Sequence, residues 1–327
     1  MQLTFLGTSA GTPTKTRNVT ALALAAGRPR QWYLIDCGEG TQHRLLHTPL
    51  SMMQLRAIFI THVHGDHTFG LPGLLTSASM LGRTAPLYLV APRPIRTFVE
   101  TVLANSDSSL SFELRYVDSE APDCCWQDDT LTVTTTPLSH RVSCHAFIFT
   151  ERNPERRLRR DRLLAEGIAP GPAWGELQKG RDLVLGDGRV LRAEDYTDIA
   201  RPPRKIVVAG DNDTPELLTD ACAGAQVLVH EATYTQAVAD RVGPWPQHSS
   251  ATQVARFAQA VQMPNLVLTH FSSRYQERPR ASPNIRELED EARQWYQGNL
   301  FLARDLASFR LSRKLTFTPD TPAPRPA

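Results

Sequence analysis

The segment HVHGDH at residues 62–67 decides how this sequence is interpreted, because it places three imidazoles and one carboxylate within six residues. It follows the apolar run AIFIT at 57–61, so we predict a loop that leaves a buried strand. Alternate side chains of such a loop can face two different metal ions, and Gly65 permits the backbone bend. Imidazole and carboxylate are zinc ligands. Solvation on a loop would explain one such histidine but not the whole cluster.

Three further polar residues stand where apolar runs end, which is where α/β enzymes usually build their sites. His140 follows LTVTTTPLS, Asp211 follows KIVVAG, and His270 follows NLVLT. Each residue alone could equally be a turn or cap residue, but their shared placement favours ligands. Asp36, after WYLI, is assigned a supporting or structural role.

The length and patterning of the chain predict a layered α/β fold. The chain has 327 residues, of which 41% are apolar, and its formal net charge of +2 means that any charge for binding nucleic acid must be local. β-like runs are predicted at 2–7, 19–25, 32–38, 55–62, 86–90, 111–117, 130–136 and 144–150, and again at 205–211, 227–232 and 266–270. Helical patterns fit 68–81, 92–105, 215–222, 249–262 and 282–296.

Several classes of protein are disfavoured by the sequence. The first ten residues resemble a strand rather than a signal peptide, and no apolar run approaches the ~18 residues of a membrane span. The five cysteines show no CxxC spacing, which favours a reduced, cytoplasmic protein. The glycine-rich start at 7–11 lacks the nucleotide P-loop pattern, so we expect no nucleotide cofactor and a tight turn near the metal edge instead.

Residues 151–205 interrupt the pattern and are predicted to form a protruding arm inserted into one domain that spans 1–318. The arm carries 13 basic against 10 acidic residues, and a stretch this long with little regular pattern is often functional. Its start, 151–162, could equally be a solvated helix of mixed charge. The proline-rich residues 319–327 are predicted to be a disordered tail.

The motifs resemble the metallo-β-lactamase superfamily and, more narrowly, the ribonuclease Z family in its bacterial form also called ribonuclease BN. The resemblance extends across nearly the whole chain and implies an αβ/βα sandwich with metals at one edge. It rests on LGTSAGTPTKTRN (6–18), DCGEGTQ (36–42), THVHGDHTFGLPGLL (61–75), HEATY (230–234), HSSATQVA (248–255) and THFSSRY (269–275).

The resemblance implies two zinc ions per chain, for which manganese or cobalt are possible substitutes, and a role for each ligand. One ion would be held by His62, His64 and His140, the other by Asp66, His67 and His270, with Asp211 bridging the pair. Asp66 would also accept the proton of the attacking water. Asn212 departs from the threonine usual in the family, which affects the surroundings of the site and not its ligands.

His248 is the candidate for the general acid that protonates the departing ribose 3′-oxygen. The resemblance implies that its side chain faces the site. Glu231 could orient His248 and keep it protonated, because an adjacent carboxylate raises the pKa of an imidazole. His230, His43, His47 and His145 are interpreted as structural.

The arm is what favours RNA, because the metal site alone would equally serve a thioester hydrolase, a lactonase or a cyclic-nucleotide phosphodiesterase. The segment GPAWGELQKG at 171–180 resembles the tRNA-gripping arm of the family. The candidate substrate contacts are Gly171, Pro172, Lys179 and Arg181 in the arm, and Arg274 beside the cleavage point.

The function implied is a zinc-dependent endoribonuclease. It would remove the 3′ trailer from precursor tRNA, leaving a 3′-hydroxyl on the tRNA and a 5′-phosphate on the trailer, and it would work as a homodimer. Added 3′-exoribonuclease action stays open. The alternatives are another hydrolase of this fold, acting on a small phosphodiester or lactone, and a non-catalytic RNA-binding protein.

Overall fold

The computed structural model of the chain describes residues 1–26, 31–121, 123–278 and 281–320. The strands are β1 (Gln2–Gly7), β2 (Ser9–Ala10), β3 (Ala21–Ala25), β4 (Trp32–Ile35), β5 (Leu55–Phe59), β6 (Leu87–Ala91), β7 (Leu114–Asp118), β8 (Cys125–Gln127), β9 (Leu131–Leu138), β10 (Cys144–Glu151), β11 (Arg156–Leu158), β12 (Leu183–Val184), β13 (Val190–Leu191), β14 (Thr197–Ile199), β15 (Lys205–Val208), β16 (Val227–Glu231), β17 (Asn265–Thr269), β18 (Phe271–Ser272), β19 (Asn299–Leu302), β20 (Ser308–Leu311) and β21 (Phe317–Pro319).

The α-helices are α1 (Thr41–Leu45), α2 (Gly65–Thr68), α3 (Leu71–Met80), α4 (Arg93–Asn105), α5 (Arg160–Ala165), α6 (Pro172–Gln178), α7 (Ala193–Tyr196), α8 (Thr219–Cys222), α9 (Gln236–Val242), α10 (Ala251–Ala260) and α11 (Ile285–Arg293). Short 3₁₀ turns occupy Met52–Gln54 and Pro215–Leu218. Within the described residues, no helix is long and apolar enough to cross a membrane.

Two large sheets pack face to face and form the centre of the molecule. One has the strand order β21-β20-β1-β3-β4-β5-β6-β7 and the other the order β19-β17-β16-β15-β10-β9-β8. Apolar side chains from both inner faces fill the space between them. Phe59 of β5 meets Phe147 and Phe149 of β10 with ring centroids 5.2 Å apart in edge-to-face geometry, an arrangement that aromatic rings prefer.

Helices cover the outer faces of both sheets. Leu74 of α3 and Val99 of α4 pack into the outer core of the first sheet, while Val254 of α10 and Leu288 of α11 pack into that of the second. Because each sheet is covered on both sides, its central strands are near-continuous apolar runs rather than alternating ones. The αβ/βα sandwich predicted from the sequence is confirmed.

Most of the predicted strands and helices are present, but several end earlier than predicted. The runs predicted at 32–38 and 55–62 leave the sheet at Ile35 and Phe59, because the chain turns there towards the site. The helix predicted at 215–222 is instead a 3₁₀ turn followed by the four-residue α8. The helix predicted at 249–262 begins after Ser250, which forms a capping box with Gln253.

The C-terminal part of the chain adds strands that the sequence pattern did not indicate. β20 pairs with β1, and β21 pairs with β20. Pro319, the first residue of the predicted disordered tail, ends β21. The next residue, Asp320, forms an ion pair with Arg310 of β20 at 2.7 Å. The rest of that tail, 321–327, lies outside the described residues.

The insertion at 151–205 has more regular structure than its sequence suggested. It contains two small antiparallel pairs, β11 with β14 and β12 with β13, together with α5, α6 and α7. Apolar side chains inside the insertion form a small core of their own: Leu163, Ile168, Leu177, Leu191, Ala193 and Tyr196. The prediction that this unit protrudes as an arm stays a prediction.

A buried ion cluster joins the two ends of the insertion. Glu151, the last residue of β10, accepts bonds from Arg201 Nη1 at 2.7 Å and Arg204 Nη2 at 2.7 Å. The side chains of all three residues are 15% exposed or less. Burial alone would raise the pKa of Glu151, but the two guanidinium groups lower it to about 2. The carboxylate therefore holds the outgoing and returning segments of the insertion together.

Candidate metal centre

The loop that carries the HVHGDH motif runs from the end of β5 into α2, with His64 at the N-cap of that helix. The glycine within the motif leaves room for the exposed ring of Phe69. A Cβ atom on Gly65 would lie 2.3 Å from Cε2 of Phe69, closer than a real Cβ contact allows. The aromatic ring therefore packs directly on the backbone at this position, and no left-handed bend is involved.

The first donor group contains three imidazoles and one carboxylate. His64 Nδ1 lies 3.0 Å from His62 Nε2 and 3.1 Å from His140 Nε2. Asp211 Oδ2 lies 3.6 Å from His62 Nε2 and 3.7 Å from His140 Nε2. All four ligand atoms lie within 4.8 Å of one another. The loops after β5, β9 and β15 thus bring together residues that are far apart in the sequence.

The second donor group contains Asp66, His67 and His270. Asp66 Oδ2 lies 3.5 Å from His67 Nε2 and 3.4 Å from His270 Nε2. Asp211 Oδ1 lies 3.6 Å and 3.4 Å from the same two nitrogens. Since the other oxygen of Asp211 faces the first group, one carboxylate spans both groups.

The chemistry of both groups fits divalent metal ions. Nitrogen atoms of neighbouring imidazoles face one another at 3.0 to 3.3 Å, which places lone pairs together unless a cation or a proton lies between them. Imidazole nitrogens combined with carboxylate oxygens are a donor set that zinc, manganese and cobalt all accept. The seven ligands predicted from the sequence are the seven residues of these two groups.

Most of the ligand histidines also use their second ring nitrogen, which fixes the orientation of each ring. Asp36, for which the sequence predicted a supporting role, accepts a hydrogen bond from the Thr61 amide at 2.8 Å and another from the ring of His67. The pairs are His62 Nδ1 with Thr61 Oγ1 at 3.0 Å, His67 Nδ1 with Asp36 Oδ2 at 2.7 Å, His140 Nδ1 with Gln247 O at 2.9 Å, and His270 Nδ1 with Thr233 Oγ1 at 3.0 Å.

Asp66 is oriented by a backbone donor that sequence reasoning missed. The amide of Gly11 donates to Asp66 Oδ2 at 2.8 Å, so the glycine-rich start of the chain does turn at the metal edge. Burial alone would raise the pKa of Asp66, but the neighbouring His67 and His270 hold it well below its usual range. The side chain is therefore a carboxylate at neutral pH.

His248 lies beside the two donor groups and is paired with Glu231. His248 Nδ1 lies 3.0 Å from Glu231 Oε1, and the centroid of the imidazole lies 5.2 and 5.4 Å from those of the His140 and His270 rings, which are tilted against it. Burial alone would lower the pKa of His248, but the carboxylate of Glu231 and that of Asp211 raise it to about 9. His248 Nδ1 is 3.8 Å from Asp211, and His248, Asp211 and His270 form a third group that could hold a metal ion. The shorter contact of His248 with Glu231 favours an acid over a ligand.

Asn212, the departure from the family pattern, is fully buried and organises the neighbourhood of Glu231. Its amide donates to Glu231 Oε1 at 2.8 Å, and its Nδ2 donates to His230 Nε2 at 3.2 Å. His230 Nδ1 donates to the carbonyl of Glu231 at 2.8 Å, which is the packed role expected of this histidine. His43 and His47 are exposed, and among the described residues neither belongs to a donor group.

The predicted contacts in the arm lie around α6. Gly171 precedes this helix and Pro172 is its first residue. Lys179 Nζ lies 2.5 Å from Glu176 Oε1, and Arg181 Nη1 lies 2.8 Å from Glu176 Oε2. The two cations thus share one carboxylate on the surface rather than standing free, and their contact with RNA stays a prediction.

Arg274 is placed near the site through an aromatic neighbour. Its guanidinium lies 5.1 Å from the ring centroid of Tyr234, and that ring lies 6.1 Å from the ring of His248. The Arg274 side chain is exposed, and its Nε donates to Ser272 Oγ at 3.0 Å. An exposed cation is therefore available one aromatic ring away from the candidate acid.

Metal-dependent hydrolases of the metallo-β-lactamase fold are built in this way, and the chain is one of them. Ribonuclease Z of Marinobacter nauticus is 67% identical over 96% of this chain and 97% of that protein. Ribonuclease BN of Erwinia tasmaniensis is 43% identical over 84% of this chain and 90% of that protein. The chain belongs to the ribonuclease Z family.

Solved structures agree with the fold, and a family profile matches the N-terminal part of the chain. The short form of human tRNase Z superposes with a TM-score of 0.62 at 26% identity, covering 94% of this chain and 98% of that one. YhfI of Bacillus subtilis, a metallo-β-lactamase fold protein, gives a TM-score of 0.64 at 17% identity. At this level of identity the similarity supports the fold only. A family profile described as Anti-Pycsar protein Apyc1 matches residues 1–121, the part that contains the HVHGDH motif.

Proposed function

We propose that two zinc ions, held by the two donor groups, let this chain cut precursor tRNA at its 3′ end and release the trailer. As a member of the ribonuclease Z family, the chain is a metal-dependent endoribonuclease of tRNA 3′-end processing. What is proposed is the identity of the ions, the role of each residue and the product ends. The observation that carries the proposal is Asp211, whose two oxygens face the two donor groups.

Asp66 is proposed to accept the proton of the attacking water. Two divalent ions, when bound, supply a water of lowered pKa and neutralise charge on the phosphate. The Asp66 carboxylate is ionised, only slightly exposed and oriented by the Gly11 amide. A general base needs a free lone pair within hydrogen-bond reach of the water, and the fixed rotamer of this carboxylate supplies it at little cost in entropy.

His248 is proposed to protonate the ribose 3′-oxygen as it leaves, which gives a 3′-hydroxyl on the tRNA and a 5′-phosphate on the trailer. Its Nδ1 faces Glu231, so its Nε2 is the atom that can hold the transferable proton. Glu231 is buried and receives bonds from the Asn212 amide and from Thr233 Oγ1. This carboxylate positions the imidazole and stabilises its protonated form.

The body of the tRNA is proposed to be bound by the insertion at 151–205. A phosphate group can take the place of Glu176 beside Lys179 and Arg181, because that carboxylate is itself on the surface. Gly171 and Pro172 shape the start of α6 next to these cations. Arg274 is proposed to contact a phosphate near the cleavage point. In a cytoplasmic homodimer, the arm of one subunit would serve the site of its partner.

Cleavage of a 3′-extended precursor tRNA tests the proposal. Purified protein is assayed with mapping of both product ends, beside Asp66→Ala and beside protein stripped with a chelator and reloaded with zinc, manganese or cobalt. We expect a single cut at the 3′ end of the tRNA, lost in Asp66→Ala and in stripped protein, and about two zinc ions per chain by elemental analysis. An uncut precursor under all three metals would contradict the proposed substrate, and a ladder of products would show exonuclease action.

A further inference from the structure

An exposed tryptophan stands at the edge of the metal centre, in the turn 243–247 between α9 and His248. The side chain of Trp245 is 77% exposed, although tryptophan is the largest apolar side chain. Single exposed apolar residues are common on protein surfaces. The distinguishing features of this one are the rigidity of its turn, its link to a metal ligand and the cation beside it.

The turn holds Trp245 in a fixed position. Pro244 and Pro246 flank it, and each proline ring restricts its own backbone. The amide of Gln247 donates to the carbonyl of Pro244 at 3.1 Å and closes the turn. Gln247 has a φ of 51°, and its carbonyl receives His140 Nδ1 at 2.9 Å. The presentation of the indole is thus tied directly to the ring of a metal ligand.

A cation lies next to the indole. Arg141 follows the ligand His140, and its guanidinium is 5.9 Å from the ring centroid of Trp245. The side chain of Arg141 is exposed, and in the part of the chain that the structure describes no carboxylate lies within the 4.0 Å of an ion pair with it. Trp245 and Arg141 therefore form an aromatic and cationic pair beside His140, with no acidic partner among the described residues.

We propose that Trp245 stacks on a nucleobase of the unpaired strand that flanks the scissile phosphate, while Arg141 contacts a neighbouring phosphate. The inference rests on the proposed function, since it supplies a second contact for the same RNA. Stacking is tolerant of base identity because every base has a π-face, which suits a site whose trailers differ in sequence. An indole that is already rigid loses little conformational freedom when a base covers it.

The test compares three variants in steady-state cleavage of a precursor tRNA. Trp245→Ala should raise KM by about tenfold, the loss typical for one stacked base, and Trp245→Phe should recover most of it. Trp295→Ala is the matched control, because Trp295 is also exposed and also packs on an arginine, Arg256, at 3.6 Å. Trp295→Ala should leave KM unchanged.

A scan of single abasic sites identifies the stacked nucleotide. At one unpaired position, the abasic substitution should weaken RNA binding to the wild-type protein and to the Trp295→Ala variant. The Trp245→Ala variant already binds more weakly, and the same substitution should weaken its binding no further. An unchanged KM in Trp245→Ala, or defects that add at every position, would overturn the inference. So would conversion of a dimer to monomers by Trp245→Ala in size-exclusion chromatography, which would make Trp245 a subunit contact.

A direct readout separates this inference from the proposed function. Binding of a short single-stranded RNA to metal-stripped protein should quench tryptophan fluorescence in wild type and in Trp295→Ala, and the quench should be lost in Trp245→Phe. If wild-type protein cleaves no precursor tRNA, the proposed substrate fails whatever the quench shows. If it cleaves normally and the quench survives in Trp245→Phe, the stacking role fails alone.

Discussion

Neutralising Glu151 should destabilise the protein, because Glu151 links the two ends of the insertion at 151–205. In Glu151→Gln, Arg201 and Arg204 lose a carboxylate that lies 2.7 Å from each of them. The pKa of Glu151 falls from 4.5 to about 2 on folding, and at 1.36 kcal/mol per unit this corresponds to roughly 3 kcal/mol at neutral pH. Because all three side chains are 15% exposed or less, little of this energy is screened by solvent.

The pH dependence of this difference follows from the lowered pKa. A carboxylate with a depressed folded-state pKa stabilises the protein fully above its unfolded pKa of 4.5, and this contribution is lost as the pH falls towards 2. The difference in free energy of unfolding between wild type and Glu151→Gln should therefore be constant from pH 7 to about pH 5.5. By pH 3.5 it should be about 1 kcal/mol smaller.

Urea unfolding at several pH values measures this difference, and limited proteolysis of the insertion shows whether its ends separate before the rest unfolds. Glu155→Gln is the control, because Glu155 is exposed on the same segment and should change the free energy of unfolding by less than about 0.5 kcal/mol. A difference for Glu151→Gln that is below 0.5 kcal/mol at pH 7, or that does not shrink in acid, would refute the reasoning.

Two further predictions concern the site and the arm. His248→Ala should lower kcat about 10²- to 10⁴-fold, since it removes a general acid. Elemental analysis should still find the metal content of the wild-type protein. A loss of metal would instead make His248 a ligand. The double variant Lys179→Ala, Arg181→Ala should raise KM for precursor tRNA and reduce the salt dependence of binding in a filter-binding assay. Arg189→Ala is the comparison, because Arg189 is paired with Asp187 in the same insertion.

The clustering of the residues in the two donor groups was predictable because they follow apolar runs that form buried strands. His140, Asp211 and His270 stand after β9, β15 and β17, which run in the same direction in one sheet, so the loops that follow them lie at the same edge. The pairing of His248 with Glu231 was a hypothesis from residue chemistry, and the structure places the two atoms 3.0 Å apart. Such residues can be found from sequence because both the side chain and its position carry the signal.

Other features have no such signal. The Gly11 amide that orients Asp66 is a backbone group, so no side chain in the sequence indicates it. The contact between Gly65 and the Phe69 ring is a packing feature, and packing partners cannot be read from spacing. The small core around Leu177 and Tyr196 was missed because its apolar residues are dispersed among charges and glycines without a regular period.

The ligands are divided between the two halves of the sandwich. The four in the 62–67 motif follow β5 of the first sheet, whereas His140, Asp211 and His270 follow strands of the second. A nascent chain that has emerged from the ribosome only to residue 200 therefore lacks Asp211 and His270 and has neither donor group complete. We therefore expect nuclease activity to arise only after the second sheet has been synthesised and has packed on the first.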